Sequence, residues 1–430
     1  MKRKHVHDNS GAVADPAGSY HMPKGIRRLA AIIFLSALIG GSTLFPTSVF
    51  SKTLDEAVDE QLAASGTKAC NILLDGGSSS VLTGSLKSIC DRTILASSFP
   101  FSNTSGGGAG TPTTLPGIVK ERMEGEEDDD EDSGVMELGG GLSFFFSAEY
   151  EEIDREATTF EAGYDSNITR FTLGVDYRVS NRFVAGMALD ASRHKGDFLG
   201  VGNFKNESKG VILFSDFLPT DRSFLQAYGG YALMSNERER LAVFREVYIS
   251  APPFTATGTP EANFDADQYS VGLLAGYDLP LGALTIGPRA GIDWSRIEYD
   301  TYSETNGEGL SGLELTFHDD EEKSLLTTLG LTASITGSTN FGVVVAQQSI
   351  YWKHQFNQDQ RDVEVSFVGD TRAKRFTYKT EAPDQSFFEF NAGFSVILPK
   401  GIQAFVNFRT LFGHEFLKSH AGTIGLRYEK

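Results

Sequence analysis

The sequence has few cysteines, little positive charge and no long apolar stretch after its N-terminal region. Its 430 residues include two cysteines, and 38 lysines and arginines stand against 57 acids, which gives a formal net charge of −19. This charge argues against nucleic acid as a partner, because phosphate contacts need a basic surface. Beyond the N-terminal region no run approaches the ~18 consecutive apolar residues of a transmembrane helix. A mature chain in a membrane would therefore have to be a closed β-barrel.

Recognisable catalytic motifs are also missing. There is no GxSxG, HExxH or P-loop pattern, and residues 52–135 contain no histidine for a Ser-His-Asp or Cys-His site. His354, His414 and His420 would need to meet carboxylates, such as those of HDDEE at His318–Glu322, to form an acid-base pair. We interpret these histidines as structural and expect no enzymatic activity, no cofactor and no metal.

The N-terminal region has the order of a secretory signal peptide. Basic residues within Lys24–Arg28 precede the apolar run Leu29–Leu38, and Val49–Ser51 offers a cleavage site. We therefore predict that residues 1–51 are a signal peptide with an extended N-terminal part, removed on export. A start at Met22 and an uncleaved anchor are the alternatives.

Residues 52–100 are predicted to form a small helical segment. Apolar residues four apart give Leu54–Leu62 an amphipathic helical pattern. Cys70 and Cys90 follow, and in an exported chain they are expected to form a disulfide, worth about 3 kcal/mol for a loop of this size. Two free buried thiols are the alternative.

Residues 101–138 are predicted to be a flexible and acidic linker. Asn103–Gly117 is rich in glycine, serine, threonine and proline, and Glu124–Asp132 holds eight acids in nine residues. Such a block repels itself and stays solvated. Calcium binding is the alternative, but the block lacks the spaced ligands and central glycine of an EF-hand loop.

From residue 139 onward, apolar and polar residues alternate with the period of a β-strand. In FTLGVDYRV, Phe171–Val179, five apolar residues fall on one face and Thr, Gly, Asp and Arg on the other. The segments with this pattern are 142–150, 168–179, 183–194, 208–218, 223–235, 267–279, 283–297, 323–335, 341–356, 385–398, 402–411 and 420–428.

The connections between these twelve segments alternate in length. They are short after even-numbered segments and long and polar after odd-numbered ones, as at 151–167 and 236–266. Outer-membrane barrels have short periplasmic turns and longer outer loops. We therefore predict an all-β fold over 139–430, a twelve-stranded antiparallel transmembrane β-barrel preceded by the small helical N-terminal segment. A soluble β-sandwich also alternates apolar and polar residues, but it would not sort its loops by length in this way.

Four stretches of the barrel region carry recognisable sequence, namely Ala162–Leu189, Ser270–Glu304, Tyr351–Phe356 and Ala404–Tyr428. In this order they resemble the autotransporter β-domain of Gram-negative bacteria. The resemblance implies a twelve-stranded barrel that carries an N-terminal passenger to or through the outer membrane. A helix ahead of the first strand usually threads the pore in that family. Here Leu115–Val135 would take that place, although its acidic block makes a poor helix.

Two functions are compatible with these features. The first is an outer-membrane barrel that translocates or displays a short N-terminal passenger, residues 52–135, which shows no repeat of strand-and-turn units. The alternative is a stand-alone barrel whose surface loops act as adhesin, receptor or porin. In both cases we expect a monomeric barrel whose partners are outer-membrane lipid, the barrel-insertion machinery and periplasmic chaperones.

Charged residues of the predicted inward face are expected to form a lumen charge network that keeps the interior wet and the strands in register. Its predicted members are Asp176, Arg178, Arg289, Asp293 and Arg409. Further acids predicted to face inward are Glu149, Asp190 and Asp278.

The last strand is predicted to carry a C-terminal insertion signal. Ile424, Leu426 and Tyr428 share the lipid-facing parity, and Lys430 stands where the resemblance implies a closing aromatic residue. A lysine at the periplasmic end can reach the interface, where a charge costs about 0–1 kcal/mol. We expect the fold to tolerate Lys430 and Lys430→Phe to raise the yield of inserted barrel.

Overall fold

The computed structural model describes residues 141–158, 160–200, 202–246, 254–309, 312–357 and 359–429. The predicted signal peptide, the helical segment with Cys70 and Cys90, the linker and Lys430 lie outside these residues. Those assignments remain predictions.

Within the described residues the chain forms nineteen β-strands. They are β1 Leu142–Arg155, β2 Tyr164–Ser180, β3 Phe183–Phe198, β4 Gly202–Thr220, β5 Ser223–Arg240, β6 Ala242–Glu246, β7 Phe254–Gly258, β8 Glu261–Tyr277, β9 Leu279–Leu281, β10 Leu284–Tyr299, β11 Tyr302–Ser303, β12 Leu315–Phe317, β13 Asp320–Thr339, β14 Gly342–Gln355, β15 Asp362–Phe367, β16 Arg375–Lys379, β17 Ser386–Leu398, β18 Ile402–Phe412 and β19 Leu417–Glu429. The described part of the chain contains no helix long and apolar enough to cross a membrane.

Twelve long strands close into one antiparallel barrel. Its order is β1, β2, β3, β4, β5, β8, β10, β13, β14, β17, β18 and β19, and each strand is hydrogen-bonded to the next. β19 pairs with β1 to close the barrel, from Ser143 opposite Glu429 to Arg155 opposite Leu417. The short strand β9 continues β8 along β10. The prediction of a twelve-stranded antiparallel barrel is confirmed.

The strands extend further on the long-loop side than the alternation predicts. Most of 195–207, predicted as a connection, is strand, because β3 runs to Phe198 and β4 begins at Gly202. Similarly, the predicted connection 151–167 is reduced to the turn 156–163. Apolar and polar side chains alternate only where one face of a strand meets lipid or another apolar environment. Backbone hydrogen bonds between strands can continue beyond that part, where both faces of the strand meet water. The predicted boundaries of these outer connections are therefore wrong.

The outward side chains form an apolar band between the short turns and an outer collar of charged residues. On β10 the band runs from Leu284 to Trp294. Ten residue steps span about 33 Å along a strand, or about 25 Å when the strand is tilted by ~40°, which matches the apolar height of an outer-membrane barrel. The collar begins directly above Trp294, where Arg296 lies 2.7 Å from Glu321.

Inward-facing aromatic rings lie over glycines of the neighbouring strand. Phe145 of β1 is the direct cross-strand partner of Gly174 in β2, and a β-carbon built on Gly174 would lie 2.2 Å from Phe145 Cζ. Glycine at this position lets the ring lie flat against the barrel wall. The same pairing joins Phe214 to Gly186, Phe204 to Gly196, Tyr228 to Gly272, Phe224 to Gly276, Tyr351 to Gly330 and Phe405 to Gly425.

A four-stranded sheet is built from the outer connections 300–319 and 356–385. Its strand order is β11, β12, β15 and β16, and we call these four strands the cap. Its buried apolar side chains are Leu315, Phe317, Val363, Val365 and Phe367. The cap lies beside the hairpin β6–β7, since Gly258 at the end of β7 bridges to Gly309. The sequence predicts these outer connections as polar loops, and the formation of a small sheet within them corrects that expectation.

Candidate functional site: the barrel lumen

An ionic cluster crosses the closure of the barrel from β18 to β3. Arg409 lies 3.1 Å from Glu151 and 3.5 Å from Glu149, measured between guanidinium nitrogen and carboxylate oxygen. Arg170 lies 3.1 Å from Glu149 and 3.7 Å from Asp190. Bases and acids thus alternate around the inner wall, so that each carboxylate contacts a guanidinium.

Hydroxyl groups of β19 complete this cluster. Thr423 Oγ1 donates to Glu149 Oε2 at 3.0 Å, and Ser419 Oγ donates to Glu151 Oε1. Both acceptors are carboxylates, and charge-assisted hydrogen bonds are stronger than neutral ones. The first and last barrel strands are therefore joined by side chains as well as by backbone pairing.

A second ion pair reaches across β1 nearer the short-turn end. Arg427 Nη2 of β19 lies 2.6 Å from both carboxylate oxygens of Asp176 in β2, and the two side chains are 2% and 0% exposed. Between these two strands lies Ser143 of β1, the direct partner of both Asp176 and Glu429. The backbone N–H of the neighbouring Arg178 donates to the carbonyl of Gly141 at 2.7 Å, just before β1.

The remaining predicted network residues lie on β10. Arg289 Nη2 is 2.6 Å from Asp278 Oδ1, and its guanidinium lies 4.8 Å from the ring centre of Phe224. Asp293 accepts a hydrogen bond of 2.8 Å from the hydroxyl of Tyr228. Asp176, Arg289, Asp293 and Arg409 thus each contact residues outside the predicted set.

The inner wall formed by β13, β14 and β17 carries its own polar contacts. Lys353 Nζ lies 3.8 Å from Glu389 Oε2, and Asn391 donates to Glu389 at 2.8 Å. The hydroxyls of Thr332 and Ser349 lie 3.0 Å apart. Polar groups thus line this side of the lumen as well.

Several members of these clusters are not among the five residues of the predicted lumen charge network. They are Glu151, Arg170, Ser419, Thr423 and Arg427. All five have the inward parity of their strands, which is a signal available in the alternation. Parity alone does not tell which acid meets which base, because that depends on the register between strands far apart in the chain.

The cap is fixed to the barrel by a buried ion pair. Arg240, at the outer end of β5, donates from Nε and Nη2 to the carboxylate of Glu304 at 2.6 and 2.7 Å. The same guanidinium donates to the carbonyl of Leu313 at 2.8 Å, and Glu304 accepts the N–H of Leu315 at 2.9 Å. The two charged side chains are 1% and 3% exposed.

Aromatic stacking makes a second contact between the cap and the wall. The ring of Tyr302 in β11 lies 3.9 Å from that of Phe264, which faces inward from β8, and 4.8 Å from that of Phe317 in β12. Both pairs are nearly parallel, at 7° and 8°. Burial raises the pKa of Tyr302 to about 12, so this phenol stays neutral at physiological pH.

A third contact ties the second outer connection of the cap to β13. Arg361 lies 2.7 Å from Asp320 and 3.9 Å from Glu322. Burial disfavours its charge, but the two carboxylates outweigh burial and raise the pKa of Arg361. The cap therefore contacts inward-facing side chains of β5, β8 and β13.

The outer end of the β1–β19 closure holds another ionic cluster. Arg155 pairs with Glu161, whose Oε1 accepts the N–H of Glu381 at 3.2 Å. Nearby, His414 Nδ1 lies 3.5 Å from Asp384 Oδ2. Burial lowers the pKa of His414, against the opposing effect of the Asp384 carboxylate.

The other histidines singled out from the sequence bond to single hydroxyls. His354 Nδ1 lies 2.9 Å from Ser386 Oγ, and His420 Nδ1 lies 2.8 Å from Thr410 Oγ1. In the part of the chain that the structure describes, no group of three or more His, Cys, Asp or Glu side chains is placed to hold a metal ion.

One further serine-histidine contact lies in the lumen wall. His194 Nε2 is 3.0 Å from Ser166 Oγ, and both side chains are buried. The imidazole packs edge-on against the rings of Tyr164 and Phe204, at 6.4 and 4.9 Å between ring centres. The pair belongs to an apolar cluster, and we interpret it as a structural contact.

The described members of the predicted C-terminal signal point outward. Ile424, Leu426 and Tyr428 are 61%, 57% and 47% exposed. They lie in the apolar band, next to outward residues of β1 and β18.

Comparison with known proteins agrees with this geometry. The family model described as the autotransporter beta-domain matches residues 144–409. No curated protein gives a significant match. Among solved structures, the chain is similar to the translocator domain of the autotransporter NalP from Neisseria meningitidis, with 15% sequence identity, a TM-score of 0.51 and coverage of 73% of this chain and 96% of that one.

Two other solved structures are more distant. The beta domain of the Bordetella autotransporter Brka gives 14% identity and a TM-score of 0.47. The match covers 68% of this chain and 100% of the Brka domain. The transport unit of AIDA-I from Escherichia coli gives 11% identity and a TM-score of 0.45, with 73% and 98% coverage. The NalP similarity supports the fold alone. The family match spans well over half of the chain, and this protein therefore belongs to the autotransporter β-domain family.

Proposed function

We propose that the barrel translocates or displays the short segment that precedes it, residues 52–135, at the surface of a Gram-negative bacterium. Membership of the autotransporter β-domain family implies a place in the bacterial outer membrane, and the apolar band of about 25 Å agrees with that place. The proposal includes export by a cleaved signal peptide, insertion by the barrel-insertion machinery with help from periplasmic chaperones, and no catalytic step.

The observation that carries this proposal is the position of the first strand. β1 starts at Leu142, directly beside the end of β19, where Ser143 pairs with Glu429. That end of the barrel carries the short turns, which face the periplasm in outer-membrane barrels. The preceding segment therefore joins the barrel at the periplasmic rim, next to a lumen lined with paired charges.

Protease access on intact cells tests surface display. An epitope tag near Glu60 is expected to be cleaved by protease added outside. A tag at Gly200, in the β3–β4 connection, serves as the accessible control, since a β-carbon there would meet nothing within 4 Å. A tag in the short turn at Lys400 serves as the protected control. Protection of the Glu60 tag until the outer membrane is breached would show that the segment is not displayed.

The cap favours a second candidate function, in which the outer loops themselves act as adhesin, receptor or porin. Loops with their own sheet and a buried ion pair to the wall are more ordered than a passive connection requires. The same experiment separates the candidates. Cleavage at Gly200 together with protection at Glu60 would support the loops as the functional surface.

A further inference from the structure

Four basic side chains lie together on the outward face of β3 and β4, where the charged collar meets the apolar band. They are Arg193 and Lys195 on β3 and Lys205 and Lys209 on β4, and we call them the basic patch. Lys195 and Lys205 are direct cross-strand partners. Like charges placed opposite each other are unfavourable, and an anion bound between them would offset the repulsion.

Carboxylates neutralise one part of the patch. The outward face of these two strands carries Glu207 and, two residues beyond Lys195, Asp197. Glu207 lies 2.6 Å from Arg193 and 3.2 Å from Lys205. Lys205 also lies 2.9 Å from an acid of β5, so that both of these bases have carboxylate partners.

The other part of the patch has no such partners. Among the described residues, the exposed ammonium groups of Lys195 and Lys209 find no hydrogen-bond acceptor and form no ion pair. The remaining bases on the outward face of the collar each form an ion pair, and they are Arg296, Lys323 and Lys418. The patch is therefore the part of the described collar where basic charge exceeds the acids beside it.

The patch begins at the depth of the outer lipid headgroups. Lys209 lies directly above Val211, the last apolar outward residue of β4, and eight residues from Phe217 near the short turn. Eight residues span about 27 Å along the strand, or about 21 Å in height when the strand is tilted by ~40°. The long Lys209 side chain therefore reaches the edge of an apolar band of about 25 Å. Lys205 lies four residues further out, about 10 Å higher.

We propose that the basic patch binds lipopolysaccharide of the outer leaflet, through the phosphate groups on its lipid A sugars. Lysine and arginine form strong charge-assisted hydrogen bonds with phosphate, and basic clusters at a membrane surface attract anionic headgroups. The height of the patch favours a tall headgroup with anions at several depths over the single phosphate of a phospholipid. The inference rests on the outer-membrane place of the barrel, and it holds whether or not the N-terminal segment is displayed.

A groove beside the patch has room for the sugars of this lipid. Its volume is about 760 Å³, and it is lined chiefly by outward-facing residues of β19 and of β1 to β5. Lys195 and Lys205 lie on the β3–β4 side, and Tyr150, which is 50% exposed, and Asn167 lie on the β1–β2 side. Amide and carboxylate groups of the groove are suited to hydrogen-bond sugar hydroxyls, and the tyrosine offers a ring with a polar end.

Lipid binding to the full-length barrel, purified in detergent, tests the proposal. Native mass spectrometry gives the fraction of barrel that carries bisphosphorylated lipid A during a titration. Lys195→Gln with Lys209→Gln removes the two unpaired charges without breaking an ion pair, and it is expected to weaken binding roughly thirtyfold. Lys195→Arg with Lys209→Arg keeps the charge and is expected to retain binding. The matched control, Arg222→Gln with Lys400→Gln, makes the same charge change in the exposed short turns and should leave binding unchanged.

Three further probes separate the possible sources of phosphate. Dephosphorylated lipid A with the same acyl chains, phosphatidylglycerol and inorganic phosphate are each expected to bind the wild-type barrel more weakly than lipid A. Heat-dependent gel mobility confirms that each variant is folded. Equal binding of lipid A by the two glutamine double variants, or binding of any of these three probes as tight as that of lipid A, would overturn the proposal.

Discussion

β1 has two neighbours, and its lumen side chains meet them in different ways. Towards β2, the next strand in sequence, Phe145 covers Gly174 and the contact is one of shape. Towards β19, separated by about 270 residues, Glu149 and Glu151 accept hydrogen bonds from threonine and serine. Local pairing thus combines close packing with one ion pair, Arg170 to Glu149, whereas the closure of the barrel is reinforced by hydroxyl hydrogen bonds to both carboxylates.

The difference has a physical reason. The partner β2 is held near β1 by the connection 156–163, so fewer side-chain contacts are needed to favour its register. The closure joins the two ends of the barrel chain, and the entropic cost of bringing ends together grows with the length between them. Directional bonds to buried carboxylates favour one register over its neighbours, because a slip would leave charged groups without partners.

The largest expected effect comes from the ion pair that reaches across β1. Arg427→Ala leaves the Asp176 carboxylate buried without its guanidinium, which typically costs about 3–5 kcal/mol. Urea unfolding of the purified barrel in detergent, followed by heat-dependent gel mobility, measures the change. The double variant Arg427→Met with Asp176→Leu is the control and should recover much of the loss. A loss below about 1 kcal/mol for Arg427→Ala would contradict the importance of this pair to the closure.

Packing between β1 and β2 is tested by Gly174→Ala. The added β-carbon would lie 2.2 Å from Phe145 Cζ, so the ring has to move. Overpacking of this kind costs about 1–3 kcal/mol. The same unfolding assay applies, with Gly422→Ala as the matched control, because a β-carbon at Gly422 meets nothing within 4 Å. Equal stability of the two variants would show that the ring is not held by the glycine.

Ser419→Ala tests the closure at one hydrogen bond. Glu151 loses one donor but keeps Arg409 at 3.1 Å, so we expect a loss of about 1 kcal/mol, at the low end for an unsatisfied buried acceptor. Threonine at the same position retains the hydroxyl and is the control. If Ser419→Thr destabilises as much as Ser419→Ala, side-chain volume rather than the hydrogen bond decides the effect.

The smallest effect concerns pH at the outer end of the closure. Burial holds the pKa of His414 below its ordinary value near 6.5, so the unfolded loop takes up a proton that the folded loop does not. Stability from this group is present above pH ~6.5 and is lost as pH falls towards the lowered pKa. The proteolysis rate of the β18–β19 connection should rise modestly when the pH is lowered from 7.5 to 5.5. His414→Gln should remove this dependence, and an unchanged pH profile in that variant would contradict it.

The barrel could be predicted from the sequence because lipid on one face imposes a period of two, and twelve such segments are visible. The cap could not be predicted in this way. β12 pairs with β15, Leu315 opposite Phe367, although some fifty residues separate them and neither strand exceeds six residues. Such short pairings are decided by tertiary contacts rather than by local pattern.

The charged contacts show the same limit. The alternation indicates that Asp176 and Arg409 face inward, but their partners follow from the register and tilt of the whole barrel. Asp176 meets Arg427 across an intervening strand, a contact that no local spacing in the sequence reveals.

The seven aromatic-glycine pairs also have a consequence for assembly. A slip of one residue between β1 and β2 would turn one member of the pair towards lipid, since side chains alternate between faces. A slip of two would place Phe145 opposite Thr172 or Asp176, where a β-carbon occupies the space that the ring needs. Wrong registers are thus disfavoured in each such hairpin before the barrel closes, which gives strand-by-strand insertion a means of error correction.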